Sequence, residues 1–296
     1  MKENNNNKNN YLRIIFGLLA AGMLLSGFVL TACATPTTEV TVSVVDENGS
    51  DVFEKTVDYR WMEKNLPVYG DGVTHYYHQG PVFSDDKETR WDLNETSNFK
   101  DRGAVKGTAI KDLCDLAGGM EAGDDLMISA IDGYNVVFDY ENVYKAPERQ
   151  GEIVLCWYNG EDAEKGERQG TGYPPDYYTG MRIILFADNS TNEEGLCVFG
   201  NTDMRVSFPK ERIHLFDNLY PSTGGYNVKW VDRLTVFRGG YEDGYKVPSK
   251  SLSAENEMET TSKAPAEKSG SGFVLLSVLL SVGFVAVAGI YRKERK

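Results

Sequence analysis

Soft-metal ligands are scarce in this chain. Three histidines and four cysteines among 296 residues leave few donors from which a zinc or iron–sulfur site could be assembled. No Walker loop, no G-x-S-x-G, no H-E-x-x-H and no C-x-x-C occurs, so the nucleotide, hydrolase, zincin and dithiol readings have no motif to stand on. Positive charge is also short: 31 Lys+Arg against 44 Asp+Glu give a net charge of −13. The ends are locally basic, +2 on residues 1–33 and +3 on residues 292–296, which leaves −18 on the stretch between them. A surface of that sign repels phosphate backbones, and nucleic acid is not an expected partner. What is present is a composition of 41% hydrophobic and 25% charged residues. That suffices to bury a core, and the length allows one large domain or two modest ones.

The two ends speak of export. Tyr11-Leu12-Arg13 leads into an apolar run from Ile14 to Leu30, followed by Thr31-Ala32-Cys33-Ala34, the order of a secretory leader over residues 1–33. Two cleavage readings compete. Leu30-Thr31-Ala32-Cys33 resembles a lipobox in which Cys33 is acylated, whereas Ala32-Cys33-Ala34 fits ordinary A-x-A cleavage; an N-terminal membrane helix is the third alternative. At the other end Phe273 to Tyr291 is a 19-residue run without a charge, with Arg-Lys-Glu-Arg-Lys directly after it. This predicts a transmembrane helix over 272–291, a cytoplasmic tail at 292–296, and everything before them outside the cell membrane. Residues 241–271 are expected to form a polar stalk and residues 38–240 the folded domain.

Three glycosylation sequons begin at Asn48, Asn94 and Asn189, each in a polar, loop-like stretch. Of the cysteines beyond the leader, Cys114 reads as a helix-face core residue, and Cys156 and Cys197, each in a strand-like run, are candidates for a pair.

Alternation of Val40, Val42 and Val44, a turn at Glu47-Asn48-Gly49 and a second run over Val52–Tyr59 predict a hairpin. A short helix is expected over Trp61–Leu66, an irregular excursion from Tyr69 to Arg102, and a helix over Ala109–Ala117 with Thr108 as its N-cap. Strands follow at Leu126–Ala130, Val136–Phe138, Ile153–Tyr158, Arg182–Ala187, Leu196–Phe199, Arg205–Phe208 and Val228–Phe237. Asp132-Gly133 and Asn159-Gly160 serve as turn formers. The expected fold class is α+β, one strand-rich domain with few helices.

Four segments, in order, resemble the molybdopterin-binding domain of the sulfite oxidase type of oxidoreductase. Gly103-Ala-Val-Lys-Gly107 with Ile110-Lys-Asp-Leu-Cys-Asp-Leu-Ala-Gly118 is similar to the family's "GV-x-L-x-DLL-x-x-AG" entry into a helix. Ser129-Ala-Ile-Asp132-Gly133-Tyr134 resembles its "S-x-DGY". Cys156-Trp-Tyr-Asn159-Gly160, then Thr179-Gly180-Met-Arg182-Ile-Ile-Leu185, resemble its "NG" turn and "G-x-P-L-R-L-V" strand. Val228-Lys229-Trp230-Val-Asp-Arg-Leu-Thr-Val236 is similar to its closing "VKWL-x-RI-x-V".

The resemblance implies a pocket for a molybdopterin, with one cysteine thiolate as a further ligand of molybdenum. Cofactor contacts are then expected from Asp132, Tyr134, Arg182, Lys229 and Trp230, with Tyr134 at the position of an active-site tyrosine. The chain departs from the pattern at the metal: no cysteine stands between Cys33 and Cys114, and Asn or Ser cannot replace a soft thiolate. Molybdopterin remains possible on this reading and molybdenum is not expected. The blander account makes Asp132-Gly133 a plain turn, pairs Arg182 and Lys229 with carboxylates and puts Trp230 in the core. His75 and His78, with Asp85, Asp86 or His214 to complete a shell, are the weak candidates for a metal.

Two functions follow as expectations. The first is a membrane-anchored, extracytoplasmic, non-catalytic domain that binds a small anionic ligand or a surface protein. The second is an oxidoreductase subunit that keeps a pterin or another cofactor without the thiolate.

Overall fold

In the first hairpin the odd and even residues part company. Val40, Val42 and Val44 of β1 (Glu39–Val45) are buried in the main core, while Thr41 and Ser43 on the other face bond Thr56 and Thr235. β2 (Asp51–Asp58) pairs with it antiparallel, and the Asp46 carboxylate closes the turn by accepting from the Asn48 and Ser50 N–H groups. The computed structural model describes residues 36–190, 192–242 and 244–245. The expected leader with Cys33, the transmembrane segment and the cytoplasmic tail lie outside the described residues. Among those described, no helix is long and apolar enough to cross a membrane.

The remaining elements are α1 (Tyr59–Asn65), β3 (His75–Gln79), β4 (Phe99–Ala109), α2 (Ile110–Asp115), β5 (Asp125–Ala130), β6 (Asn135–Asp139) and α3 (Tyr140–Tyr144). They continue with β7 (Glu152–Glu161), β8 (Arg182–Phe186), β9 (Cys197–Phe199), α4 (Asn201–Ser207), β10 (Leu215–Phe216), β11 (Tyr220–Pro221) and β12 (Val231–Phe237). Two five-stranded sheets result, ordered β2-β1-β12-β5-β6 and β8-β7-β4-β3-β9, with β10 and β11 as a separate hairpin. Pairing is antiparallel except for β1 with β12 and β3 with β9. Strand-rich, with short helices and mixed sheets, the fold is α+β as expected.

The second sheet is buried on both faces. In β7, Ile153, Leu155 and Trp157 join the main core, while Val154 and Cys156 face a second cluster with Val105, Tyr177 and Ile184. This two-sided burial explains why Ile153–Trp157 reads as an unbroken apolar run. Cys156 and Cys197 are both unpaired. They stand on β7 and β9, with β4 and β3 between them in the strand order, and the suggested disulfide does not form. Cys114 is a buried helix residue, as expected.

Several local expectations are corrected. Thr108 is no N-cap: β4 runs through Ala109, and the Thr108 hydroxyl accepts from the buried Trp157 indole at 3.1 Å. Thr108→Val is expected to orphan that N–H and cost about 1–3 kcal/mol, read as a lower urea midpoint at unchanged m-value. Asn159-Gly160 lies inside β7 rather than in a turn; Gly160 lets the Gly72 backbone approach so closely that a Cβ would meet its carbonyl oxygen at 2.1 Å.

Residues 205–207 are the end of a helix rather than a strand, and Phe208, itself extended, caps it. Met204 and Phe208, four apart, are buried while Val206 is 73% exposed, and the Gly200 N–H donates to Asp203 at the helix start. The folded part also extends beyond 38–240. Thr37 accepts from the Met181 N–H, and Tyr241 and Tyr245 pack edge-on against Phe237 at 5.0 and 4.8 Å.

Candidate anion site

One long strand brings charge to the edge of a cavity. β4 begins Phe99-Lys100-Asp101-Arg102, and β3 beside it ends at Gln79, so Lys100, Asp101 and Arg102 lie next to Gly80 and Pro81. The loop after β7 contributes Lys165, Gly166 and Glu167, and the segment before β12 contributes Ser222 and Gly224. These residues line a cavity of about 350 Å³. The 222–226 segment is pinned by Thr223: its hydroxyl accepts from the Gln79 N–H at 2.8 Å and donates to the Phe199 carbonyl at 2.6 Å.

Arg102 feels the charge of Arg182. Arg182 is fully buried, its Nη1 donates to the Gln169 side chain, and its Nε and Nη2 have no partner among the described residues. Arg102 is nine-tenths buried and its Nε is likewise unpartnered. Burial, then the charge of Arg182, pulls the Arg102 guanidinium down to about 9. Within ion-pair distance no described carboxylate serves Lys100, Arg102, Lys165 or Arg182. Asp101 is taken by His75 and by the Gly103 and Glu164 N–H groups, and Glu167 by Lys229. Burial opposes ionisation of Glu167, but the Lys229 hydrogen bond and charge, with Arg182 and Arg102, outweigh it and hold the carboxyl below its ordinary range. Buried, unpaired guanidinium N–H groups are costly, and a multiply charged anion is the group that satisfies them.

The residues expected from the sequence fall around this cavity unequally. Arg182 does not line it, though its charge acts on Arg102, and Lys229 pairs with Glu167 of its lining. Tyr134 touches its rim: the hydroxyl donates to the Gly225 carbonyl at 2.6 Å, next to Gly224. Burial and Asp132 raise that phenol. Asp132 is an exposed turn residue that accepts from the Tyr134 N–H. Trp230, at φ 49°, is half-buried; its indole donates to the Tyr178 carbonyl, and its ring lies 5.8 Å from the Lys229 ammonium.

The histidines do not form a metal shell. Three apart on a strand, His75 and His78 point to opposite faces. His75 bonds Asp101. His78 is buried between the Thr223 carbonyl and the Leu185 N–H, and burial, then Arg102 and Arg182, hold it well below its usual value. His214 bonds the Ser222 carbonyl, Asp86 caps Thr89, and Asp85 is exposed on the surface. No group of three or more described His, Cys, Asp or Glu residues could hold a metal ion. No cysteine lines the cavity either, so its donors do not fit a thiolate-held molybdenum. The sequon asparagines Asn48, Asn94 and Asn189 are all exposed.

Arg102, Lys100 and Lys165 were not singled out by the sequence; Arg102 is 80 positions from Arg182, and only the sheet brings them together. No family model matches the chain, and no curated protein matches it.

Proposed function

We propose that this is a membrane-anchored, extracytoplasmic binding protein whose folded domain, similar in motif order to the sulfite-oxidase molybdopterin domain, holds a small anion at Arg102 without catalysing a reaction on it. Two adjoining buried guanidiniums with unpartnered N–H groups, in a chain that is otherwise strongly acidic, carry this reading. An anion seated there meets Arg102, with Lys100 and Lys165 at the mouth, and restores hydrogen bonds that the protein alone leaves unmade. Calorimetric titration of the full-length chain with inorganic phosphate and with sulfate tests it. Saturable binding that falls at least about tenfold in Arg102→Ala is expected, since a charge-assisted hydrogen bond is worth about 1.5–3 kcal/mol. No binding of either anion, or binding indifferent to the substitution, overturns the reading. The oxidoreductase alternative is settled by analysis of the native chain for pterin and molybdenum, where stoichiometric amounts displace the non-catalytic reading.

A further inference from the structure

Both segments that leave the cavity wall run into the same exposed aromatic cluster. From Pro81 the chain reaches Phe83 two residues on; from Ser222, reading backwards, it reaches Tyr220 in two. Each step spans at most about 7 Å. The Phe83 ring stands edge-on to Tyr220 at 4.9 Å and to Phe216 at 6.1 Å. The hairpin β10–β11 that carries Phe216 and Tyr220 turns through Asp217 and Asn218, both at φ 53°, a left-handed turn that Asp and Asn tolerate. Phe83 is 67% exposed, Phe216 49% and Leu219 46%. Single exposed apolar residues need no explanation, but a contiguous group beside a cavity of opposite chemistry does.

We infer that the ligand of the Arg102 cavity is an amphiphilic organic anion, its charged head at Arg102 and an apolar body laid over Phe83, Phe216 and Leu219. This rests on the anion-site reading above and adds the ligand's class to it. The charge asymmetry commits the occupant: Lys100, Arg102 and Lys165 at the cavity have no carboxylate within ion-pair distance among the described residues, whereas Phe83 meets the aromatic rings of Phe216 and Tyr220, with the hairpin's polar residues Asp217 and Asn218 set at its turn. A bare inorganic anion leaves the aromatic cluster uncovered, and a neutral hydrophobe leaves the arginines unpaired. A phosphate or carboxylate joined to an aromatic or short aliphatic group satisfies both. Such a head group occurs on soluble metabolites and on lipids alike.

The probes are phenyl phosphate, inorganic phosphate and phenol, titrated into the full-length chain. Phenyl phosphate is expected to bind about tenfold or more tightly than inorganic phosphate, and phenol alone not measurably. In the double variant Phe83→Ser, Phe216→Ser the two phosphates should bind equally, with inorganic phosphate unchanged; both positions are exposed, and circular dichroism checks that the fold is kept. Equal affinity in the parent, or a phenyl increment that survives the double variant, overturns the inference while leaving the anion site standing. Failure of both phosphates to bind, or binding indifferent to Arg102→Ala, removes the anion site itself. Vesicles of phosphatidic acid in phosphatidylcholine, added as competitor, identify the source. Displacement of phenyl phosphate assigns the apolar body to a lipid, and its absence to a soluble molecule.

Discussion

Phosphate added to about a hundred times its dissociation constant is expected to raise the melting temperature of the full-length chain by about 5–10 °C, and Arg102→Met to abolish the rise. The cause is the unsettled charge at the cavity. Arg102 is pulled down to about 9 from an ordinary value of 12.5, first by burial and then by Arg182. The unfolded chain holds the full charge comfortably. The folded chain holds it at a cost below about pH 9, a cost that disappears only as pH rises from there toward 12.5. At neutral pH a bound anion lifts that cost. Arg102→Met withdraws the charge instead, so in phosphate-free buffer the variant should melt no lower than the parent while becoming blind to phosphate. Differential scanning calorimetry in paired buffers reads both. A parent indifferent to phosphate, or a variant that melts several degrees lower without it, would make Arg102 a structural residue.

The second large effect is expected at Arg149, where one guanidinium serves three carboxylates: Asp188 at 2.6 Å, Asp203 at 2.7 Å and Glu95. Glu95 and Asp203 are nearly inaccessible. Among the described residues no other cation lies within ion-pair distance, so removing Arg149 strands the buried Asp203 carboxylate, and Arg149→Met is expected to cost about 3–5 kcal/mol in urea unfolding. Glu95→Gln should behave differently. Burial, then the hydrogen bond and charge of Asp203, raise the Glu95 carboxyl to about 8 against the opposing pull of Arg149. In the folded chain it therefore keeps its proton at pH 7, which the unfolded chain has released. Stability contributed by that proton is fully present below about 4.5 and is lost as pH rises to about 8. The glutamine imitates the protonated form, so it should be tolerated at pH 6 and should flatten the decline between pH 5 and 8. An Arg149→Met protein as stable as the parent, or a Glu95→Gln profile with the parent's slope, would contradict this account.

How much of this was legible beforehand follows from where each signal resides. The β1–β2 hairpin was plain because one of its faces is buried and the other polar, so Val40, Val42 and Val44 alternate. β7 and β8 were recognisable as strands by their apolar runs, though not that both faces are covered. β3 was missed: His75-Tyr-Tyr-His-Gln79 carries no alternation, since it is an inner strand whose polar groups are taken by Asp101, Thr223 and Leu185. Arg205–Phe208 was misjudged because four residues cannot separate a period of 2 from one of 3.6. At the site, Arg182 was visible through its motif, and Lys229 through the closing one. Arg102 carried no local mark, because it stands on β4 and Arg182 on β8, two strands of one sheet with β7 between them, and such a juxtaposition leaves no spacing in the chain.

The parallel pairing of β1 with β12, in register from Thr41 opposite Arg233 to Val45 opposite Phe237, bears on how this domain would carry tension. The chain enters at the Glu39 end of one strand and leaves at the Phe237 end of its neighbour, at opposite ends of the same ladder. A pull between the two therefore slides the strands past each other along their length, loading the inter-strand hydrogen bonds together rather than peeling them one at a time. Loaded in this way, the fold would resist extension through two largely buried strands.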